Sequence, residues 1–423
     1  MSVLTPEEIA AVRRPYRAAS LLPGRAYHDA SIFEWEREHI FRRDWVCIGR
    51  TSEVADPGSY RLAEIEGEDI IVVRGSDEVI RAFYNVCRHR GTAVCEAPEG
   101  TVVRFQCPYH AWIYDLDGQL VRAKHTEDLD DFSHEAYSLR PLRLETWQGF
   151  LFLSFDPTAP PLHGWLDDAV DHFARYDLTA LVPARRIVYD VAANWKFIAE
   201  NYSECYHCPG LHPQLNRLTP YDLGGDFDTR GPWQGGWMEL VGGAETMAVD
   251  GGHRAGRPAL AGTTELDERR ICYDLLWPST FISTHPDYVL VHRLEPLAGD
   301  HTRVVCEWLF EPATLADPRF DAADAFEFWD TTNRQDWHVC ELQQRGTRSR
   351  SWTAGRYSNQ EPSVHAFDLM VVDRYADDGI SSHRTVRDRY DVPLPKDGDV
   401  EPDVAAPVVH DRAGARARAA NKA

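Results

Sequence analysis

The chain has 423 residues, with 45 Lys and Arg against 67 Asp and Glu, for a formal net charge of −22. That length supports two or three domain-sized units, and the negative charge argues against nucleic acid and anionic membrane surfaces as partners. No run approaches the roughly 18 consecutive apolar residues of a membrane span, and the start MSVLTPEEIAAVRRPY lacks a signal-peptide core. The nine Cys are scattered without a framework of paired spacings, which suits a reducing cytoplasm.

Taken in order, the sequence predicts helices over Pro6–Arg14 and Ile32–Phe41. From Trp45 the pattern changes to short strands with turns at Asp56-Pro57-Gly58, Gly67-Glu68 and Gly75-Ser76-Asp77. The run Val79–Tyr84 reads as a strand leading into Asn85-Val86-Cys87-Arg88-His89-Arg90-Gly91. A second strand, Val102–Gln106, leads into Cys107-Pro108-Tyr109-His110, followed by a strand over Ala111–Asp115 and a hairpin turn at Asp117-Gly118. Gly149–Phe155 is a further strand, ended by Asp156-Pro157, and Pro157–Leu162 reads as a domain linker. Mixed helices and strands continue to about Leu394, and the tail 396–423, rich in Asp, Pro, Ala and Arg, reads as disordered.

Two constellations carry chemistry. The first is Cys87-x-His89 and, after a gap of 17 residues, Cys107-x-x-His110. Mixed sulfur and nitrogen ligation from two hairpin tips fits a Rieske-type [2Fe–2S] centre, two thiolates on one iron and two imidazoles on the other. Zinc is the competing reading, but zinc motifs usually pair C-x-x-C with a second such pair or with H-x-H.

The second is the segment from Asn194 to Pro213. Trp195, Ile198, Ala199, Tyr202, Cys205 and Tyr206 recur at three- and four-residue steps, predicting an amphipathic helix that Pro209-Gly210 ends near Cys208. His207 then sits on the last turn, Glu204 lies on its face, and His212 follows the break, where the chain can fold back onto the same metal. Two His and a carboxylate on one face, with open positions, make a mononuclear non-haem Fe(II) site. The best carboxylate is Asp336, on the stripe Trp329, Asn333, Asp336, Val339, Cys340 and Gln343, with Asp330 and Glu341 as competitors. Cys205-x-x-Cys208 could be redox-active or bind zinc; Cys205 falls on the helix's buried face and is read as core.

Trp45 to Asp156 resembles the Rieske domain of bacterial non-haem iron oxygenase large (alpha) subunits, and with the second constellation the resemblance covers about residues 30 to 390. Thr92 and Tyr109 stand where respiratory Rieske proteins carry two further Cys, so the soluble oxygenase form is the match. The resemblance implies an α+β fold: an all-β Rieske domain at 44–156 and a helix-grip-like catalytic domain with an antiparallel sheet at 162–394, preceded by a helical segment, 1–43, packed on the latter. It implies that Cys87, His89, Cys107 and His110 hold the cluster, and that His207, His212 and Asp336 hold the iron. Glu204 takes the place of a carboxylate that carries electrons to the iron from the neighbouring subunit's cluster, and Asn201 is a candidate for contacting a ligand at the iron. A head-to-tail homotrimer in the cytoplasm follows, with electrons from NAD(P)H through a separate reductase or ferredoxin, and O2 and a small molecule as substrates. Phe328–Trp337 and His285–Val289 look like the branch that oxidises glycine betaine, choline and stachydrine. A quaternary ammonium calls for an aromatic cage, for which Tyr221, Trp233, Trp237, Trp277 and Phe281 are candidates. An aromatic ring-hydroxylating dioxygenase and a Rieske electron carrier are the alternatives.

Overall fold

The computed structural model describes residues 3–376 and the backbone of 383–384; the tail 396–423 lies outside the described residues. Ten strands make up the first region: β1 Val46–Arg50, β2 Ser59–Ile65, β3 Glu68–Arg74, β4 Ile80–Tyr84, β5 Glu99–Thr101, β6 Phe105–Gln106, β7 Ile113–Tyr114, β8 Leu120–Arg122, β9 Pro141–Trp147 and β10 Phe150–Ser154. Seven form an antiparallel sheet in the order β1-β10-β9-β4-β3-β2-β5, and β6-β7-β8 form a second, small one. Two hairpins turn on an X-Gly pair with both residues left-handed, Glu66-Gly67 (φ 53° and 75°) and Gln148-Gly149 (φ 52° and 76°). That turn matches the natural twist of antiparallel strands. Val102–Arg104, expected in a strand, lie outside one, and Val103 is 90% exposed.

The second region holds β11 Val182–Val191, β12 Gly224–Asp226, β13 Thr229–Arg230, β14 Trp233–Glu239, β15 Arg270–Leu276, β16 Thr280–Thr284, β17 Val289–Ala298 and β18 His301–Phe310. Its antiparallel sheet runs β11-β18-β17-β16-β15-β14-β12. One face packs on the helices Trp195–Tyr202, Ala323–Gly346 and Pro362–Tyr375, which also pack on one another. The other face joins the first region: Leu276, Ile282, Val289, Val291 and Leu309 share a buried core with Trp45, Trp147, Phe150 and Phe152.

The N-terminal helices Pro6–Val12 and Ala30–Glu36 lie against this helical layer. Glu36 is fully buried and accepts hydrogen bonds from Lys196 Nζ, Trp195 Nε1 and Tyr375 O–H. A buried carboxylate needs such partners, and these tie three helices together.

Candidate functional site

The two Cys–His loops are built alike. Cys87 N–H donates to Thr92 O (2.8 Å) and Gly91 N–H to Cys87 O (3.0 Å); Cys107 N–H donates to Trp112 O (2.9 Å) and Ala111 N–H to Cys107 O (3.1 Å). The fifth residue of each loop is left-handed, Gly91 at φ 75° and Ala111 at φ 55°. Both thiols are buried, whereas His89 and His110 are exposed with ring centroids 4.6 Å apart. Sulfur donors inside and imidazole donors at the tip fit a cluster with one iron facing the protein and the other facing outward. His89 stacks on Trp112 at 4.7 Å. Tyr114, fully buried, places its hydroxyl 3.3 Å from Cys87 Sγ and accepts from Arg88 N–H (3.1 Å). Sequence reasoning missed this contact, because a buried Tyr reads as core until its hydroxyl is placed.

The helix from Trp195 stops at Tyr202, six residues short of the expected end. Ser203 caps it, its hydroxyl donating back to Ala199 O at 2.7 Å. Glu204 then draws the chain into a turn, its carboxylate accepting from the backbone N–H groups of Tyr206 and His207. Pro209-Gly210, expected to break the helix, lies within a new helical turn, Cys208–Leu211. Cys205 consequently leaves the buried helical face: it is half-buried, lines the cavity and is disulfide-bonded to Cys208, with Cα atoms 5.0 Å apart. The core reading of Cys205 is therefore corrected. The other described Cys are free and buried.

His207, His212 and Asp336 converge, one ligand atom from each lying within 4.8 Å of the others. Asp336 Oδ1 is 2.7 Å from His212 Nε2 and 3.4 Å from His207 Nε2. The outward nitrogens are held as well: His207 Nδ1–H donates to Glu204 Oε1 (2.6 Å) and His212 Nδ1–H to Gln335 Oε1 (2.7 Å). Such partners fix the tautomer and leave both Nε2 lone pairs facing a metal. Burial opposes a proton on His207, yet Asp336 and Glu204 push its pKa up to about 10. Burial would raise Asp336, but the two imidazoles hold it below the usual carboxylate range. Two carboxylates around one imidazole call for a cation, and the donor set suits a divalent iron. The competitors are occupied elsewhere: Asp330 accepts from Tyr189 O–H (2.8 Å) and Glu341 from Ala192 N–H (3.2 Å). On the long helix Gln344, not Gln343, continues the buried stripe.

A cavity of about 550 Å³ opens beside the three residues. Asn201, Glu204, Tyr221 and Trp237 line it, whereas Trp233, Trp277 and Phe281 do not. Trp233 and Trp237 share one face of β14 four residues apart, so their different places follow from position along the strand rather than from alternation. Trp233 Nε1–H donates to Asp168 (2.6 Å), Trp277 Nε1–H donates to Asp44 (2.7 Å), and Phe281 stacks beneath Tyr202 at 4.2 Å. These three are corrected from cage to core. Arg270 lies 3.5 Å over the Trp237 ring, so one face of that indole already holds a cation. The cavity has other aromatics that sequence reasoning did not assign to it, Tyr202, Tyr273, Trp329 and Trp337. Buried polar atoms among its lining residues, Gln234 Oε1, His292 Nδ1 and Trp337 Nε1, lack protein partners. Such groups suit a polar ligand or ordered water.

An antiparallel sheet with a two-His, one-carboxylate site, joined to a Cys–His loop domain, defines a Rieske non-haem iron oxygenase. Residues 44–133 match the Rieske [2Fe-2S] domain and residues 178–377 the ring hydroxylating alpha subunit catalytic domain. The chain belongs to the Rieske oxygenase alpha-subunit family and is an oxidoreductase of that kind. It is 31% identical over 365 residues to the glycine betaine monooxygenase oxygenase subunit of Pseudomonas aeruginosa (strain UCBPP-PA14), covering 80% of this chain and 84% of that one. It is 41% identical over 203 residues to the carnitine monooxygenase oxygenase subunit of Escherichia coli (strain K12), covering 48% and 54% respectively. The quaternary ammonium Rieske monooxygenase CntA in complex with L-carnitine superposes with a TM-score of 0.73 at 27% identity, covering 89% of this chain and all of that one. No helix among the described residues is long and apolar enough to cross a membrane.

Proposed function

We propose that this protein is the terminal oxygenase component that hydroxylates an N-methyl group of a small quaternary amine. Cys87, His89, Cys107 and His110 hold the [2Fe–2S] cluster, and His207, His212 and Asp336 hold Fe(II) at the cavity wall. The cluster supplies single electrons and the iron supplies O2 activation. The observation that carries the substrate class is the aromatic set Tyr202, Tyr273, Trp329 and Trp337 beside the triad. Tyr273 and Trp329 rings stand 6.4 Å apart, and Tyr202 and Tyr273 rings 6.3 Å apart, both edge-on. A quaternary ammonium has no N–H to donate, so aromatic faces are its natural partners. The names of the relatives support the same substrate class.

Overall, substrate C–H, O2, two electrons and two protons give substrate C–OH and water. When the carbon is an N-methyl, the product is a carbinolamine, which loses formaldehyde. Electrons arrive from NAD(P)H through a separate reductase or ferredoxin, and the working unit is a cytoplasmic head-to-tail homotrimer. The exposed His89 and His110, and the Glu204 bond to His207, support transfer between subunits.

The test is a panel of betaine-type amines and of arenes with the reductase-coupled protein. Formaldehyde release from a quaternary amine is expected; cis-diol or phenol from an arene, without formaldehyde, would replace this reading by the ring-hydroxylating one.

A further inference from the structure

The oxygenase reaction consumes protons, and the triad with its hydrogen-bond partners leaves open where they are held. Where the Trp195–Tyr202 helix packs against the Pro362–Tyr375 helix, two carboxyl groups are buried together. Glu200 is 7% exposed and Asp368, on the Pro362–Tyr375 helix, is fully buried. The two lie within hydrogen-bond reach of each other. Two carboxylates both accept, so contact between them requires a shared proton. Among the described residues, no hydrogen-bond donor reaches the buried Asp368 Oδ1. The remaining oxygens are held by tyrosines: Tyr27 O–H donates to Glu200 Oε1 at 2.7 Å, and Tyr357 O–H donates to Asp368 Oδ2 at 2.6 Å. Tyr357 lines the same cavity as His207, His212 and Asp336, so a single side chain stands between the carboxyl pair and that cavity.

We propose that Glu200 and Asp368 form a proton-holding pair that supplies one of the two protons of each oxygenation through the Tyr357 hydroxyl. Tyr357 hands its proton to a water or polar group in the cavity and takes the pair's proton in exchange; solvent refills the pair between turnovers. The step moves a proton only, and the electrons remain those of the reductase.

The groups facing the pair agree with this role. Lys196 is a cation acting on both carboxyls, and it is already paired with Glu36, which also binds Tyr375 O–H. Glu361 adds a further negative charge beside Asp368, and Cys340 packs nearby as a buried neutral thiol. Burial raises Glu200 well above the carboxylate range and pushes Asp368 up to about 7. With both carboxyls raised and sharing one site, the pair keeps a proton at neutral pH.

Two measurements on the full-length holoprotein test this. Infrared difference spectroscopy at neutral pH, without substrate, is expected to show the C=O stretch of a protonated carboxyl group. That band should be absent from the Glu200→Gln/Asp368→Asn double variant. Tyr357→Phe, which keeps the ring, is expected to lower reductase-driven O2 consumption roughly tenfold or more, with KM, cluster and iron content unchanged and the rate restored by a small weak acid. Lack of the carboxyl band in the wild type, or a Tyr357→Phe rate close to wild type, overturns the proposal. The inference rests on the oxygenase reading for the use of the proton. The band needs no substrate, and O2 consumption is read whichever substrate is oxidised, so its failure is distinct from failure of the quaternary-amine reading.

Discussion

At the scale of single residues the iron site is compact enough for removal of one side chain to be read directly. Asp336→Ala is expected to lower the metal content from about three Fe to about two per chain while two sulfides remain; atomic absorption and sulfide analysis check this. Tyr114→Phe removes a hydroxyl aimed at Cys87 Sγ. Losing a hydrogen bond to a cluster sulfur disfavours the more negative reduced state, so the midpoint potential is expected to fall, as spectroelectrochemistry would show. The ligand candidates were legible because metal chemistry demands particular residue types at short spacings. Gln335 was not, since an amide on a helix has no pattern of its own; only the His212 Nδ1 contact assigns its work. The cage candidates were misread for a related reason. An indole near a pocket in sequence can point into either layer of the sheet.

Among elements, β14 shows why that ambiguity arises. Its burial runs through Trp233, Gln234, Gly235, Trp237 and Met238 because both faces of the sheet are covered. With no polar side, the period-two signal that orients a strand disappears. The helix ending at Tyr202 was overestimated because the apolar three–four periodicity runs past the point where Ser203 and Glu204 take over the backbone hydrogen bonds. The matched ligand loops give a prediction of their own. Ala111 occupies the left-handed position that Gly91 fills in the other loop, at a cost of roughly 1–2 kcal/mol for a residue with a Cβ. Ala111→Gly is expected to recover part of that, up to about 1 kcal/mol, in urea unfolding of the holoprotein. The buried Lys196–Glu36 pair behaves in the opposite sense. Lys196→Met leaves a charge among Trp195 and Tyr375 without its cation and is expected to cost about 3–5 kcal/mol. Adding Glu36→Gln should return part of the loss in the same unfolding assay.

For the molecule as a whole, stability should depend on acid through histidines buried neutral in and beside the second sheet. Burial pushes His285 down to about 3 and His292 to about 4, below the ordinary value of 6.5. A base whose folded pKa is depressed contributes its full stability above the unfolded pKa and loses it as pH falls through the folded one. The melting temperature is therefore expected to drop as pH goes from about 6.5 towards 4. His285→Phe, which keeps a ring against Tyr288, should flatten that slope in a calorimetric series.

Two regions were readable from composition, because the change from helices to short strands near Trp45 and the Pro-rich stretch after Asp156 both leave marks in the sequence. Their shared interior was not, since a core gathered from distant strands has no local signature. That interior, where Phe150 and Phe152 meet Ile282, Val291 and Leu309, bears on how such proteins can be recombined. The cluster domain is not a detachable cassette. A Rieske domain grafted from a relative would present a foreign apolar surface to β16–β18, and the chimaera would need the matching strand face transplanted with it.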